Sequence, residues 1–177
     1  MRTASDGTAG TPAATAAAVR ALVADVPDPE VPVVTIDDLG VLRGVVVDDA
    51  GHVRVDITPT YSGCPAMEAI RADIEARLVA GGHRDAEVRV VLAPAWTTDW
   101  MSPTARRKLA AYGIAPPSGS APAAGADRAA VPVSLSVRCP QCGSPDTREL
   151  SRFGSTACKS LWRCLACREP FDHFKTF

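Results

Sequence analysis

VRVDITPTYSGCPAMEAIRADIEARL, residues 53–78, changes its hydrophobic period partway along. Val53, Val55 and Ile57 alternate with polar residues, the pattern of a strand with one buried face. Beyond Cys64, Met67, Ile70, Ile74 and Leu78 recur at helical spacing, and the run stops at Gly81-Gly82. The flanks extend this strand–helix unit. Upstream, the β-branched run Val41–Asp48 and the turn Asp49-Ala50-Gly51-His52 predict a hairpin ending in residues 53–58. Farther back, Val19, Leu22, Val23 and Val26 mark a helix over 13–26 that ends before Pro27. Downstream, Val88, Val90 and Leu92 predict a third strand, and Ser102-Pro103 opens a short basic helix with Ser102 as its N-cap. The order is α-β-β-α-β-α. A strand that returns after a helical crossover pairs parallel to one member of the hairpin, giving a small α/β (α+β) domain with a mixed sheet.

The chain has 177 residues, and 19 Lys+Arg stand against 20 Asp+Glu. Near-neutral charge argues against a coat for nucleic acid or an anionic membrane. No apolar run approaches the ~20 residues of a membrane span. Residues 1–18 carry Asp6 and Gly7 where a secretory signal would need an apolar core. The expectation is a soluble, cytoplasmic protein with reduced cysteines. Composition divides it into a patternless tail (1–12), the α/β domain (13–115), a Pro/Gly/Ser-rich linker (116–132) and a C-terminal unit (133–177).

That last unit holds two CxxC turns, Cys139–Cys142 and Cys164–Cys167, with 21 residues between them. Each turn brings two sulfurs to one side of a tight loop, and two such loops close a tetrahedron around Zn²⁺. Gly143 fits the sharp turn after the first pair. A segment this short buries too little to offset its ordering entropy, and metal binding supplies the difference. The reading is a zinc ribbon. Iron in an S₄ site is the main competitor and reduced or redox pairs the bland one. Cys158 and His173 are surplus to four ligands. For Cys158 the readings are a labile thiol, a ligand for a transferred metal, or, the favoured one, a small buried residue. His173 reads as packed or exposed. The unit carries seven Lys/Arg against four acids and five of the chain's nine aromatics. That composition suits either a nucleic-acid-binding module or a protein-docking face with a miniature core, and docking is preferred.

Cys64 stands apart from the other cysteines, just before the helix. Free amides and the positive helix end there favour a thiolate, which could be a nucleophile, a redox sensor or a soft-metal ligand; by itself a lone cysteine at such a junction is more often structural. Asp28 and Glu30 lie in Asp28-Pro-Glu30-Val-Pro32, whose prolines fix an extended segment, although DPE alone reads as a solvated turn. The Trp96–Met101 stretch caps the core or lines a pocket or partner site. Neither His52 nor His83 falls in a motif beside Cys64. There is no phosphate-binding glycine loop.

DPEVP, IDDLGVL, ITPTYSGCPAME, APAWTTDWMS, ARRKLAAYGIAPP and FGSTACKSLWRCLACREPFDHFK together resemble the D-subunit family of ring 1,2-phenylacetyl-CoA epoxidases (phenylacetate–CoA oxygenases). The first domain is similar to the iron–sulfur cluster assembly domain family. The resemblance covers about residues 20–116 and 138–175. It implies a non-catalytic accessory protein of the aerobic phenylacetate-degrading system that helps assemble a partner's iron–sulfur or di-iron centre. Its partners would be the oxygenase or reductase subunits, with no nucleic acid or membrane, and a second copy of the chain could contribute ligands in a homodimer. Cys64 would hold transient iron or a cluster, with Asp28 and Glu30 on the neighbouring loop; Cys139, Cys142, Cys164 and Cys167 would hold structural zinc. A cysteine is expected after Phe174-Lys175 in this family, and Thr176 stands there instead. Two other classes remain open: a ribbon-type nucleic-acid-binding module and a thiol enzyme using Cys64.

Overall fold

The structure, a computed structural model, describes residues 15–61, 63–118 and 137–177. The tail over 1–12 and nearly all of the linker over 116–132 lie outside the described residues.

The N-terminal half builds the α+β arrangement read from its periods. Helix α1 (Ala16–Val23) is capped by Thr15, whose hydroxyl accepts from the Ala18 N–H at 3.2 Å. It is shorter than the run expected over 13–26, and Val26 is buried outside it. Strands β1 (Leu42–Val47) and β2 (Val53–Ile57) form the antiparallel hairpin. Helix α2 (Ala66–Ala80) crosses over, and β3 (Glu87–Val90) returns parallel to β2, giving the order β1-β2-β3. Ile70, Ile74 and Leu78 of α2 are all buried in the core beneath the sheet. Each such side chain contributes about 1.5–3 kcal/mol by leaving water. Arg77 ties the helices together by donating to the carbonyls of Leu22, within α1, and Asp25, just beyond it. The expected third strand is cut short. It ends at Val90, and Leu92, 65% exposed, lies outside it.

Helix α3 (Pro103–Ala111) begins as its sequence implies, with the Ser102 hydroxyl accepting from Ala105 N–H at 2.9 Å. Asp38 of the IDDLG segment anchors this helix. Its backbone carbonyl accepts from Ser102 N–H at 2.8 Å, and its carboxylate pairs with Lys108 at 2.5 Å.

Four strands make the second sheet, in the order β4-β7-β6-β5: β4 (Ile114–Ala115), β5 (Thr147–Ser151), β6 (Lys159–Cys164) and β7 (Pro170–Phe174). β4 follows α3 directly and pairs parallel with β7. The ribbon sheet therefore takes an edge strand from the chain that precedes the Pro/Gly-rich stretch.

Side chains reinforce that connection. Cys158 and Phe174 lie in the same buried cluster as the α1, α2 and β2 core residues. Trp96 packs on Phe174 and Phe177 with ring centroids 6.2 and 6.0 Å apart, and its indole N–H donates to the Leu39 carbonyl. The Trp96–Met101 stretch, including the 3₁₀ turn Thr98–Trp100, thus caps the first core and supports the ribbon sheet. A smaller core of Ala115, Val137, Cys139, Cys164 and Phe171 lies beside the CxxC turns.

Candidate metal and transfer sites

The two CxxC turns meet. Cys139 Sγ lies 3.7 Å from Cys167 Sγ, Cys142 Sγ lies 3.6 Å from Cys164 Sγ, and all four sulfurs are within 4.8 Å of one another. A tetrahedral ion with ~2.3 Å metal–sulfur bonds needs sulfurs about 3.8 Å apart, so the four fit one ion with little adjustment. No disulfide joins them. Gly143 N–H donates to the Cys139 carbonyl at 2.9 Å, closing the first turn. Cys167 N–H, 3.4 Å from Cys164 Sγ, is the largest cause that lowers the Cys164 thiol to about 6. Among the described residues this is the group of ligating side chains that encloses a common point.

The second cluster forms around Cys64. Gly63 (φ +90°) turns the chain so that Cys64 immediately precedes Pro65, the N-cap of α2. Asp28, only 8% exposed, organises the facing loop: its Oδ1 accepts from Glu30 and Val31 N–H, both at 2.8 Å. Burial is the main cause that raises the Asp28 carboxyl above its ordinary range. Glu30 is not a solvated turn residue. Its Oε2 accepts from Cys158 Sγ at 3.8 Å, and its backbone carbonyl accepts from Lys159 Nζ at 3.4 Å. Asp28, Glu30 and the Tyr61 hydroxyl all act on the Cys64 thiol.

Two influences oppose one another at Cys64, where the sequence favours a thiolate. The helix-end effect is present, since Ala66 N–H donates to the sulfur, but burial and the negative charges of Glu30 and Asp28 outweigh it and raise the thiol. Cys158 is pushed further, up to about 11, chiefly by burial, with Glu30 and Asp28 adding to the rise.

Sequence reasoning misses two members of this cluster. Tyr61 and Lys159 both lie inside motifs that carry the family resemblance, but no local period points either of them toward Cys64. His173 packs as expected. It is buried, with Nδ1 3.3 Å from Ser160 Oγ and its ring edge-on to Trp162. His52 is paired with Asp48 in the hairpin turn. No helix among the described residues is long and apolar enough to cross a membrane.

Comparison with known proteins matches both halves. Residues 16–90 fit the family model described as iron-sulfur cluster assembly protein, and residues 124–175 fit the PaaD zinc beta ribbon domain. The chain is 50% identical over 155 residues to a protein of Escherichia coli (strain K12) that bears the name of the D subunit of 1,2-phenylacetyl-CoA epoxidase, covering 88% of this chain and 89% of that one. It is 39% identical over 83 residues to the Fe-S protein maturation auxiliary factor SufT of Staphylococcus aureus (strain USA300), covering 46% of this chain and 93% of that one. The solved DUF59 domain from Bacillus anthracis superposes with a TM-score of 0.50 at 30% identity, over 53% of this chain and 90% of that one. With an α+β assembly domain, a Cys₄ ribbon and half of the aligned residues identical across most of both lengths, the chain belongs to the D-subunit family of 1,2-phenylacetyl-CoA epoxidases.

Proposed function

We propose that this chain is a non-catalytic maturation factor of a phenylacetyl-CoA epoxidase system, working in the cytoplasm on the oxygenase or reductase subunits. Iron, or an iron–sulfur cluster, is its cargo. Cys64 holds that cargo in transit beside Asp28 and Glu30, and the four ribbon cysteines hold a resident zinc. The observation that carries this reading is a half-buried thiol at the start of α2 on which the negative charges of Glu30 and Asp28, from a distant loop, act. The Cys₄ geometry supports zinc, whose contribution when bound is structural: it holds the two knuckles in register.

The chemistry of transit follows from the raised thiol. An arriving Fe²⁺ displaces the proton from Cys64 as the iron–sulfur bond forms, because a bound cation inverts the local acid–base preference. On release to a client's ligands the sulfur recovers a proton. Displacing that proton costs part of the binding energy, which lowers retention and favours hand-over. The neighbouring carboxylates, unfavourable to a bare thiolate, are favourable to a cation. The raised thiol counts against a thiol enzyme, whose nucleophile is activated by a lowered pKa.

The test is anaerobic reconstitution with iron and sulfide, followed by mixing with apo-reductase or apo-oxygenase. Wild type is expected to gain cluster or iron absorbance and to activate the client, and Cys64→Ala to do neither. Equal activation by both proteins would overturn the reading.

A further inference from the structure

Two consecutive ribbon residues hold one residue of the assembly domain. Cys158 Sγ lies 3.8 Å from Glu30 Oε2, and Lys159 Nζ lies 3.4 Å from the Glu30 carbonyl oxygen. Both ribbon residues are 4% exposed, and Cys158 packs within the first core. Inside the loop, Asp28 Oδ1 accepts from Glu30 and Val31 N–H, and Asp28 N–H donates to the Val34 carbonyl at 3.0 Å. Those bonds are local. Among the described residues, the hydrogen bonds that reach residues 28–34 from outside residues 26–36 are those of Cys158 and Lys159.

The grip is itself braced from the ribbon side. Asp172 Oδ2 lies 3.9 Å from Lys159 Nζ, giving the buried ammonium a counter-charge, and it accepts from Ser155 Oγ at 2.8 Å. Lys175 N–H donates to the Cys158 carbonyl at 3.0 Å, and Gly154 N–H to the Lys159 carbonyl at 2.8 Å. Lys159 opens β6, and the last residue of that strand is Cys164, one of the four converging sulfurs. Five steps of about 3.3 Å put about 17 Å of strand between the two ends. β6 runs inside its sheet, paired with β5 on one side and β7 on the other. Metal binding supplies much of the folding energy of a unit this small, so the order of β6 depends on the four sulfurs holding an ion.

We propose that Cys158 and Lys159 are positioning residues for the Asp28–Glu30 loop, and that zinc at the far end of β6 keeps them in place. Zinc occupancy of the ribbon then governs the order of a loop in the other half of the chain. The functional meaning rests on the reading of that loop as part of the transfer site; the coupling itself involves no iron. Zinc loss frees the Glu30 carbonyl and carboxylate from the ribbon, while the buried residues of α1, α2 and β2 still pack on one another. A chain with an empty ribbon presents a loosened loop, and cargo loading follows zinc binding.

The test is amide hydrogen exchange, read residue by residue, on the full chain in zinc-loaded and zinc-free form under reducing conditions. The Glu30 and Val31 amides are expected to exchange about tenfold faster or more without zinc, the size of effect that losing two hydrogen bonds to one residue brings. The Ile74 and Leu78 amides, on the buried face of α2, report the rest of the assembly domain and are expected to keep their protection. A zinc-loaded Cys158→Ala/Lys159→Met protein is expected to show the same fast exchange at Glu30 and Val31 with its zinc content intact. Equal rates at Glu30 and Val31 with and without zinc would overturn the proposal, as would slow exchange at both amides in the double variant. Acceleration at Ile74 and Leu78 by the same factor would also overturn it, because that marks loss of the whole domain and no coupling specific to the loop. The zinc-free comparison decides the matter even if the double variant does not fold. No iron is added, so failure here leaves the reading of Cys64 as an iron ligand to its own reconstitution test.

Discussion

Replacing Phe174 by alanine would undo the packing that seats the ribbon sheet on the assembly domain. The ring is 1% exposed, lies in the first core although its strand belongs to the second sheet, and packs on Trp96. Truncating a buried Phe costs about 3–5 kcal/mol. An aromatic pair accounts for about 0.5–1.5 kcal/mol of such a loss. At about 2–4 °C per kcal/mol for a chain of this size, the melting temperature of the zinc-loaded protein should fall by about 6–20 °C. The assay is thermal and urea unfolding followed by tryptophan fluorescence and far-ultraviolet dichroism. Phe153→Ala is the control, because that ring is 71% exposed and meets Lys175 Nζ through a cation–π contact at 4.7 Å. Its loss should stay below about 1 kcal/mol. A Phe174→Ala protein as stable as the control would refute docking of the ribbon sheet on the first core.

Two further outcomes follow from the structure. Metal analysis should find one zinc per chain, and alanine at any of Cys139, Cys142, Cys164 or Cys167 should remove it and unfold the ribbon, since structural zinc supplies ~10–16 kcal/mol to such units; full zinc occupancy in these variants would contradict the site. His173 is held down to about 4 by burial. Its folded-state value lies below the ordinary 6.5, so its contribution is present above that value and disappears as pH falls through about 4. At ~1.4 kcal/mol per unit, wild type should lose about 3 kcal/mol more than His173→Gln between neutral pH and about pH 4. Urea midpoints across that range check this, and parallel profiles would count against it.

Much of the fold is legible in the sequence because its signals are local. The change of period across residues 53–78 locates β2, the loop carrying Cys64 and the buried face of α2. The crossover rule places β3 parallel to one hairpin strand, and that strand is β2. The CxxC spacing locates four sulfurs that do converge. What escapes depends on partners distant in the chain. β4 is two residues long, too short for any period, and its partner β7 lies beyond the Pro/Gly-rich stretch. The acidity of Cys64 follows from its own helix end when read locally, and that effect exists; burial, together with the negative charges of Glu30 and Asp28 far upstream, acts the other way and raises the thiol. Cys158 looks surplus in the sequence because its neighbour Glu30 and the core around it belong to the other half of the chain.

The central claim is that Cys64 carries iron to a client. Its most direct test is to load the zinc-bound chain anaerobically with radiolabelled iron, add apo-oxygenase or apo-reductase together with an excess of chelator, and count the label in the client. Delivery to the client despite the chelator, lost in Cys64→Ala, is the predicted result. Equal delivery by the Cys64→Ala protein, or capture of all the label by the chelator, would contradict it.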